Sequence, residues 1–229
     1  MTSRIALLLL LLAPASAVAD NADRPDVAGD LPLVYSSDRP ESDADRSGAW
    51  SFTDPDAWRF LIDQGPLVLE QFQASDYEPK VRSPYNIALI EDLDVSDFVL
   101  DLEVKQTGRD YGHRDACLFF GHQDPSHFYY VHLGKEADPH AHSIFLVNDE
   151  PRVSIAQERT SGTPWTDDWH HVRIVRRVDP GTVAVYFDDM ETPVMTSTDT
   201  TFTHGRVGVG SFDDTAMFRH IRLWGLLAD

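Results

Sequence analysis

Six of the ten histidines fall between residues 113 and 142, at His113, His122, His127, His132, His140 and His142. The same stretch holds Asp115, Gln123, Asp124, Tyr129, Tyr130, Lys135 and Asp138. His140-Ala141-His142 is the sharpest pattern, because residues i and i+2 of an extended chain project to one face and can grip one divalent ion. A hairpin centred near Ala137 would set His132 directly opposite His142. With Asp138 from the loop, the expected ligand set is His132, His140, His142 and Asp138, suited to zinc or another transition metal with one position open. A slip of one residue in the register would separate the pair. Strand-end histidines in solvent, or a buried ring bonded to a backbone carbonyl, account for the same residues without a metal.

A second cluster is Tyr111-Gly112-His113-Arg114-Asp115, four hydrogen-bonding side chains beside one glycine, just before the apolar run Ala116–Phe120. Such density at the mouth of a strand suits ligand recognition. His113, Arg114 and Asp115, joined by Gln123 and Asn148, are the candidate substrate-binding groups. An ordinary polar loop explains them as well. Cys117, the single cysteine, lies in Ala-Cys-Leu-Phe-Phe and reads as a small buried hydrophobe rather than a nucleophile.

The elements that must carry these residues are strands. From Ala49 onward the chain is a series of short alternating or wholly apolar runs ended by turn residues. Strands are predicted at 58–62, 67–72, 85–90, 98–105, 116–120, 128–133, 143–147, 153–156, 170–176, 183–187, 206–210 and 218–224. Phe98, Leu100, Leu102 and Val104 share one face while Asp101, Glu103 and Lys105 take the other, as a half-buried strand requires. Asp54-Pro55-Asp56, Asp124-Pro125-Ser126, Asp179-Pro180-Gly181 and Asp213-Asp214 punctuate the runs. With no sustained 3.6-residue period and no internal linker, the pattern predicts an all-β fold, a single antiparallel β-sandwich over residues 49–229.

What precedes it is of two kinds. Residues 1–19 read as a signal peptide: Arg4, the apolar run Ile5–Leu12 and the small-residue site Ala17-Val18-Ala19. Asp20 stands where a lipid-anchored chain would carry cysteine. Residues 20–48 read as a flexible leader with a short strand near Leu31–Tyr35 and an acidic loop after it. The expected location is therefore secreted or periplasmic. With 38 acidic and 19 basic residues, the formal charge of -19 argues against nucleic acid or an anionic membrane as partner. One cysteine excludes an intramolecular disulfide framework.

Three pieces carry a family likeness: Trp165-Thr166-Asp167-Asp168-Trp169-His170-His171-Val172-Arg173-Ile174, then Val183-Ala184-Val185-Tyr186-Phe187-Asp188-Asp189, then Gly205–Gly210 leading to Phe218–Gly225. They cover the last third of the chain. The sequence resembles the concanavalin A-like lectin/glucanase group, near laminin-G-like domains and the bacterial 3-keto-disaccharide hydrolase-type domain, which implies a jelly roll. The likeness implies a structural calcium at Asp213 and Asp214, in the loop before the last strand, where carboxylates suit that hard cation; a plain turn is the alternative. It places Trp169 and Trp224 in the core and leaves Trp50, Trp58 and Trp165 free to stack on sugar rings. Glucanases of family 16 on this fold use Glu-x-Asp-x-x-Glu. Here Glu41-Ser42-Asp43 begins such a string, but Arg46 stands in place of the second Glu, which disfavours the two-carboxylate mechanism.

The function expected from these readings is cleavage of a glycosidic bond, by a hydrolase or a polysaccharide lyase, at a His/Tyr/Arg cluster. Tyr130 or His132 is the candidate base, Arg82 the group that neutralises a neighbouring carboxylate, and His142 the fourth catalytic candidate. A non-catalytic glycan-binding module and a periplasmic structural or adhesion domain are the alternatives. The partner in the first two cases is an oligo- or polysaccharide. No nucleic acid, membrane or protein partner is implied, and no organic cofactor; the metals to expect are zinc at the histidines and calcium at the aspartates.

Overall fold

The structure is a computed structural model and describes residues 24–38, 48–62 and 67–228. The signal-peptide reading, the catalytic string at Glu41 and the acidic loop fall outside the described residues. Sixteen strands follow in chain order. They are β1 Leu33–Ser36, β2 Trp50–Phe52, β3 Trp58–Ile62, β4 Leu67–Gln71, β5 Asn86–Ile90, β6 Val95–Gln106, β7 Cys117–Asp124 and β8 His127–His132. The rest are β9 Ser143–Asn148, β10 Val153–Ser154, β11 Ala156–Arg159, β12 His170–Arg177, β13 Thr182–Phe187, β14 Met195–Thr198, β15 Arg206–Ser211 and β16 Ala216–Leu227.

Two antiparallel sheets face each other. Nine strands form one, in the order β11-β14-β13-β12-β6-β16-β4-β3 with β1 added beside β16. Seven form the other, in the order β10-β9-β8-β7-β15-β5-β2. The alternation along each strand explains the sandwich: in β12, Val172 and Ile174 are buried while Arg173 and Arg177 are not. Between the sheets lie Leu100, Leu102, Val104, Val172, Ile174, Val185, Phe218 and Leu223 from the first, against Leu118, Phe120, Tyr129, Val131, Val207 and Val209 from the second. Trp50, Trp58 and Trp165 belong to this core, so the expectation that they stack on sugar is corrected: each is too large and apolar to remain outside. Trp165 Nε1 donates to the Leu133 carbonyl at 2.7 Å, and Trp50 Nε1 to the Tyr35 hydroxyl at 2.9 Å.

The strand expectations fail at β2, at β14 and over residues 153–156, whereas the short strand expected near Leu31–Tyr35 is present as β1. β2, three residues long, and β14, Met-Thr-Ser-Thr, are too short to show a period. The run at 153–156 is two strands, because the chain crosses from one sheet to the other at Ile155, whose N–H donates to the Ile144 carbonyl at 2.8 Å. The described part of the leader is integral to the sandwich. β1 pairs with β16, and a short 3-10 helix, Asp26–Ala28, packs Ala28 against Val99 and Trp224 on the outer face of the nine-stranded sheet. Trp224 is thus buried on that outside face, and Trp169 is only half-buried, beneath the Arg219 guanidinium at 4.1 Å.

The seven-stranded sheet is unusual in being apolar on both sides. Ile87, Leu89, Cys117, Phe119, Phe128, Tyr130, Phe145, Val147 and Phe212 form a second cluster on its outer face, covered by Val81 and Tyr85 from the segment between β4 and β5. On β15 the outward positions are Gly208 and Gly210. A Cβ at Gly210 would lie 1.9 Å from the Asn86 carbonyl oxygen, so β5 and β15 can approach only without side chains there.

Candidate functional site

The chemistry-bearing residues gather at the two ends of that outer face. At one end, His132 on β8 lies beside Cys117 on β7, its antiparallel partner. Asp115, just before β7, is fully buried, and His132 is 4% exposed. Asp115 Oδ2 accepts the Phe212 N–H at 2.8 Å and the Cys117 thiol at 3.2 Å, and lies 3.2 Å from His132 Nε2. The Asp115 N–H donates to Asp214 Oδ2 at 3.0 Å, as does the Tyr111 hydroxyl at 2.9 Å. Phe212, Phe145 and the Arg152 guanidinium cover the group; the guanidinium sits 4.2 Å from the Phe212 ring centre and 5.1 Å from that of Phe145.

Electrostatics at this end are dominated by carboxylates. Burial and the Asp115 charge push the Asp214 carboxyl up to about 7, and the same two causes raise Asp213. Burial works against ionising Asp115 too, but His132, the Phe212 N–H and the Cys117 thiol outweigh it and hold Asp115 below the usual range. Burial, then the Asp115 charge, drives the Cys117 thiol well above its ordinary value. Burial likewise drives up the Tyr130 phenol, which stacks on Phe145 at 5.1 Å and has no hydrogen-bond partner.

Five residues beyond Cys117 on β7, His122 borders a cavity of about 260 Å³ that opens to solvent. Ser51, Phe52 and Thr53, Ile87 and Leu89, and Tyr77 and Pro125 line it, together with His122 and Arg206. A bulge places His122 there. Phe120 points into the core, and strict alternation would send His122 inward as well. Gly121 has φ 57°, and the β15–β7 register shifts by one residue between Arg206 and Gly208. The extra residue turns His122 outward, where it stacks on Phe128 at 5.2 Å and faces Arg206 across the ladder. His122 is 5% exposed and its Nδ1 has no partner. Burial, then the Arg206 charge, lowers its pKa to about 4, so the ring is neutral at neutral pH. Arg206 Nη1 is fixed by the Ser51 hydroxyl at 3.1 Å and Glu91 Oε2 at 2.8 Å.

These positions revise several expectations. His132 is paired with Ser143 and not with His142, so the register has slipped by one residue. His142 lies just before β9 in a left-handed conformation, φ 51°, and turns away. Its ring nitrogens contact the hydroxyls of Thr163 at 3.1 Å and Thr160 at 2.8 Å. Burial, then the charge of Arg159, lowers its pKa to about 4. His140 is exposed, and its N–H donates to Asp138 Oδ1 at 2.6 Å. The four-residue metal site at His132, His140, His142 and Asp138 is therefore not assembled. Among the described residues, the groups of three or more potential ligands within 4.8 Å of one another are Asp115/Cys117/His132 and Asp115/Asp213/Asp214.

The substrate-binding candidates are dispersed. Arg114 is buried, donating to the Gln106 carbonyl at 3.1 Å and Asp167 Oδ1 at 3.0 Å, away from the outer-face cluster. His113 is exposed, 3.6 Å from Asp138; Gln123 and Asn148 are exposed at the ends of β7 and β9. Asp115 alone of that set is in the buried cluster. Of the catalytic candidates, Tyr130 and His132 share the outer face of β8 and are closed off from solvent. Arg82 lies outside them, its guanidinium 5.8 Å from the Phe212 ring centre. Tyr77, Arg152 and Arg206 had no motif to announce them, since each is a lone polar residue remote in sequence from the groups it meets. The glycine before His122 was the one available signal for the bulge.

No protein-family model matches the sequence, and no curated protein matches it. Solved structures do. The carbohydrate binding module CBM66 from Bacillus subtilis superposes with a TM-score of 0.56 at 15% identity, over 77% of this chain and 96% of that one. A Bacillus subtilis protein of unknown function with a galectin-like fold gives 0.52 at 14% identity, over 86% and 98%. The metal-free lectin I-B4 from Griffonia simplicifolia gives 0.51 at 13% identity, over 84% and 99%. At such identities the likeness is one of fold, and it matches the architecture described above: the chain folds as a concanavalin A-like jelly roll.

Proposed function

We propose that this protein binds a saccharide in the cavity at His122 and Arg206, without cutting it. The observation that carries the reading is the lining of that cavity. Its volume, about 260 Å³, is near the lower end for small-molecule pockets and suits one sugar ring with its neighbours in solvent. The walls combine aromatic and aliphatic surface from Phe52, Tyr77, Ile87 and Leu89 with neutral or cationic hydrogen-bonding groups from Thr53, His122 and Arg206. A ring with hydroxyls on its edge and C–H groups on its face needs that mixture. Among the described residues no carboxylate lines it, and the nearest acid to Arg206, Glu91, is held in an ion pair with it. The lectin and carbohydrate-module likenesses support a saccharide over other small polar ligands.

Hydrolysis or elimination at His132 and Tyr130 finds less support. Both are buried, and neither reaches the cavity. The N-terminal signal-like segment supports a role outside the cytoplasm, as does the acidic charge, which suits a soluble secreted or periplasmic protein more than a binder of nucleic acid. Among the described residues no helix is long and apolar enough to cross a membrane.

A panel of neutral and acidic oligosaccharides, scored by calorimetry and by product release, tests the reading. Saturable binding that falls at least tenfold in Tyr77→Ala and His122→Ala, with no reducing ends or unsaturated products formed, supports it. No binding across the panel, or product release abolished by His132→Ala, overturns it.

A further inference from the structure

We propose that Asp115, Cys117 and His132 form a structural zinc site that ties β7 and β8 to the β15–β16 turn. A carboxylate, a thiol and an imidazole each offer one atom, all within 4.8 Å of one another. In a tetrahedral zinc site with bonds of about 2.0 to 2.3 Å, neighbouring ligand atoms stand roughly 3.3 to 3.8 Å apart. Here Asp115 Oδ2 is 3.2 Å from the Cys117 sulfur and 3.2 Å from His132 Nε2, so a small outward adjustment reaches that spacing.

A second observation is the shortage of partners around these groups. Asp115 Oδ1 and His132 Nδ1 are buried without a hydrogen-bond partner, and His132 Nε2 faces only Asp115 Oδ2 at 3.2 Å. Asp115 is fully buried and His132 is 4% exposed. An unpartnered buried atom costs about 1 to 3 kcal/mol, and a cation would relieve the one ring nitrogen and the one carboxylate oxygen that it binds. The surroundings hold carboxylates: Asp213 and Asp214 each bring one within 4.8 Å of Asp115, with the guanidinium of Arg152 packed on Phe212 and that of Arg82 farther out. Asp213, exposed at the edge of the group, lies near Asp115 and Asp214 and would have to swing toward Cys117 and His132 to serve as a fourth donor.

The donor set selects the metal. Thiolate and imidazole suit zinc, whereas calcium seeks six to eight oxygens. Calcium at Asp213 and Asp214 fits less well, since Asp214 Oδ2 already accepts two hydrogen bonds, from Tyr111 and Asp115. Zinc coordination forms one bond each to sulfur, nitrogen and oxygen and releases the thiol proton to solvent. With every ligand but Asp213 closed to water, the site is structural and holds no substrate. None of its ligands lines the saccharide cavity, so it stands or falls apart from that reading.

Chelator-treated full-length protein titrated with zinc chloride, and separately with cobalt chloride, provides the test. The expected results are one zinc per chain, a melting temperature raised by roughly 5 °C or more, and a cobalt–thiolate charge-transfer band in the near ultraviolet. Cys117→Ala should lose the band and the thermal shift. Should that variant fail to fold, Asp213→Asn, altered at an exposed residue, is expected to keep the band while binding zinc at least tenfold more weakly. Folded wild-type protein that shows no band and no zinc-dependent shift overturns the proposal, as does stoichiometric calcium binding with zinc excluded.

Discussion

His122 and His132 occupy the same outer face of one sheet, both nearly closed to water, and both have ring nitrogens without partners. Their neighbours differ in sign. Arg206 faces His122 across the ladder, and its charge adds to burial in keeping that ring neutral. Asp115 is 3.2 Å from His132, with Asp213 and Asp214 behind it. The same side chain at two ends of a sheet is therefore tuned for opposite tasks. Beside a guanidinium, imidazole is a neutral hydrogen-bonding group fit for an uncharged ligand. Beside carboxylates it faces a hydrogen-bond acceptor, Asp115 Oδ2.

The largest effect should come from the hub of the anionic end. Asp115→Ala removes the acceptor for Phe212 N–H and the Cys117 thiol and strands His132. We expect a loss of about 3 to 5 kcal/mol in denaturant unfolding of chelator-treated protein. A loss under about 1 kcal/mol would mean that the carboxylate organises nothing, and the contrast between the two ends would fail.

Acid should act next, through the imidazoles held neutral. The folded pKa values of His122 and His142 are about 4, below the ordinary histidine value of about 6.5. Between those values the unfolded chain binds more protons than the folded one, so stability is present above pH ~6.5 and is lost as pH falls toward 4. Each ring contributes at most about 3 kcal/mol to that slope. Unfolding midpoints measured from pH 7 to pH 4 should fall less steeply in His142→Gln than in the wild type; equal slopes would refute the assignment.

The cationic end gives a smaller and sharper effect. In Arg206→Met the His122 pKa should rise by roughly one unit, about 1.4 kcal/mol, as read by NMR titration of the ring. An unchanged value would leave burial as the whole cause. Smallest is Thr163→Val, which takes one hydroxyl from the His142 ring at a cost of about 1 kcal/mol in unfolding free energy.

The architecture was legible because its signals are local. Alternation such as that of residues 98–105 and turn pieces such as Asp179-Pro180-Gly181 fix strand and punctuation within a few residues. The site was legible only in its inventory. Asp115, Tyr130 and His132 were named from the sequence, as was the run of histidines that contains His122. What set their roles was not local: a one-residue register between β8 and β9, a bulge at Gly121, and an arginine from β15 more than eighty residues downstream of the histidine it faces. The tryptophans misled for a related reason. Aromatic type suggests sugar stacking, but only the closing of two sheets decides which rings are left outside.

Among the described residues, the strand that completes the nine-stranded sheet is the last in order. β16 is flanked by β6 along one edge and shared by β4 and β1 along the other, so the first strand of the fold docks on the final one. Until residues 216–227 are available, β1 and β4 have no partner on that side and β6 lacks one of its two neighbours. β1 and β16 therefore meet across more than 180 residues, a contact with a high loop-closure cost, and the seam that β16 fills stays open until those distant strands have met.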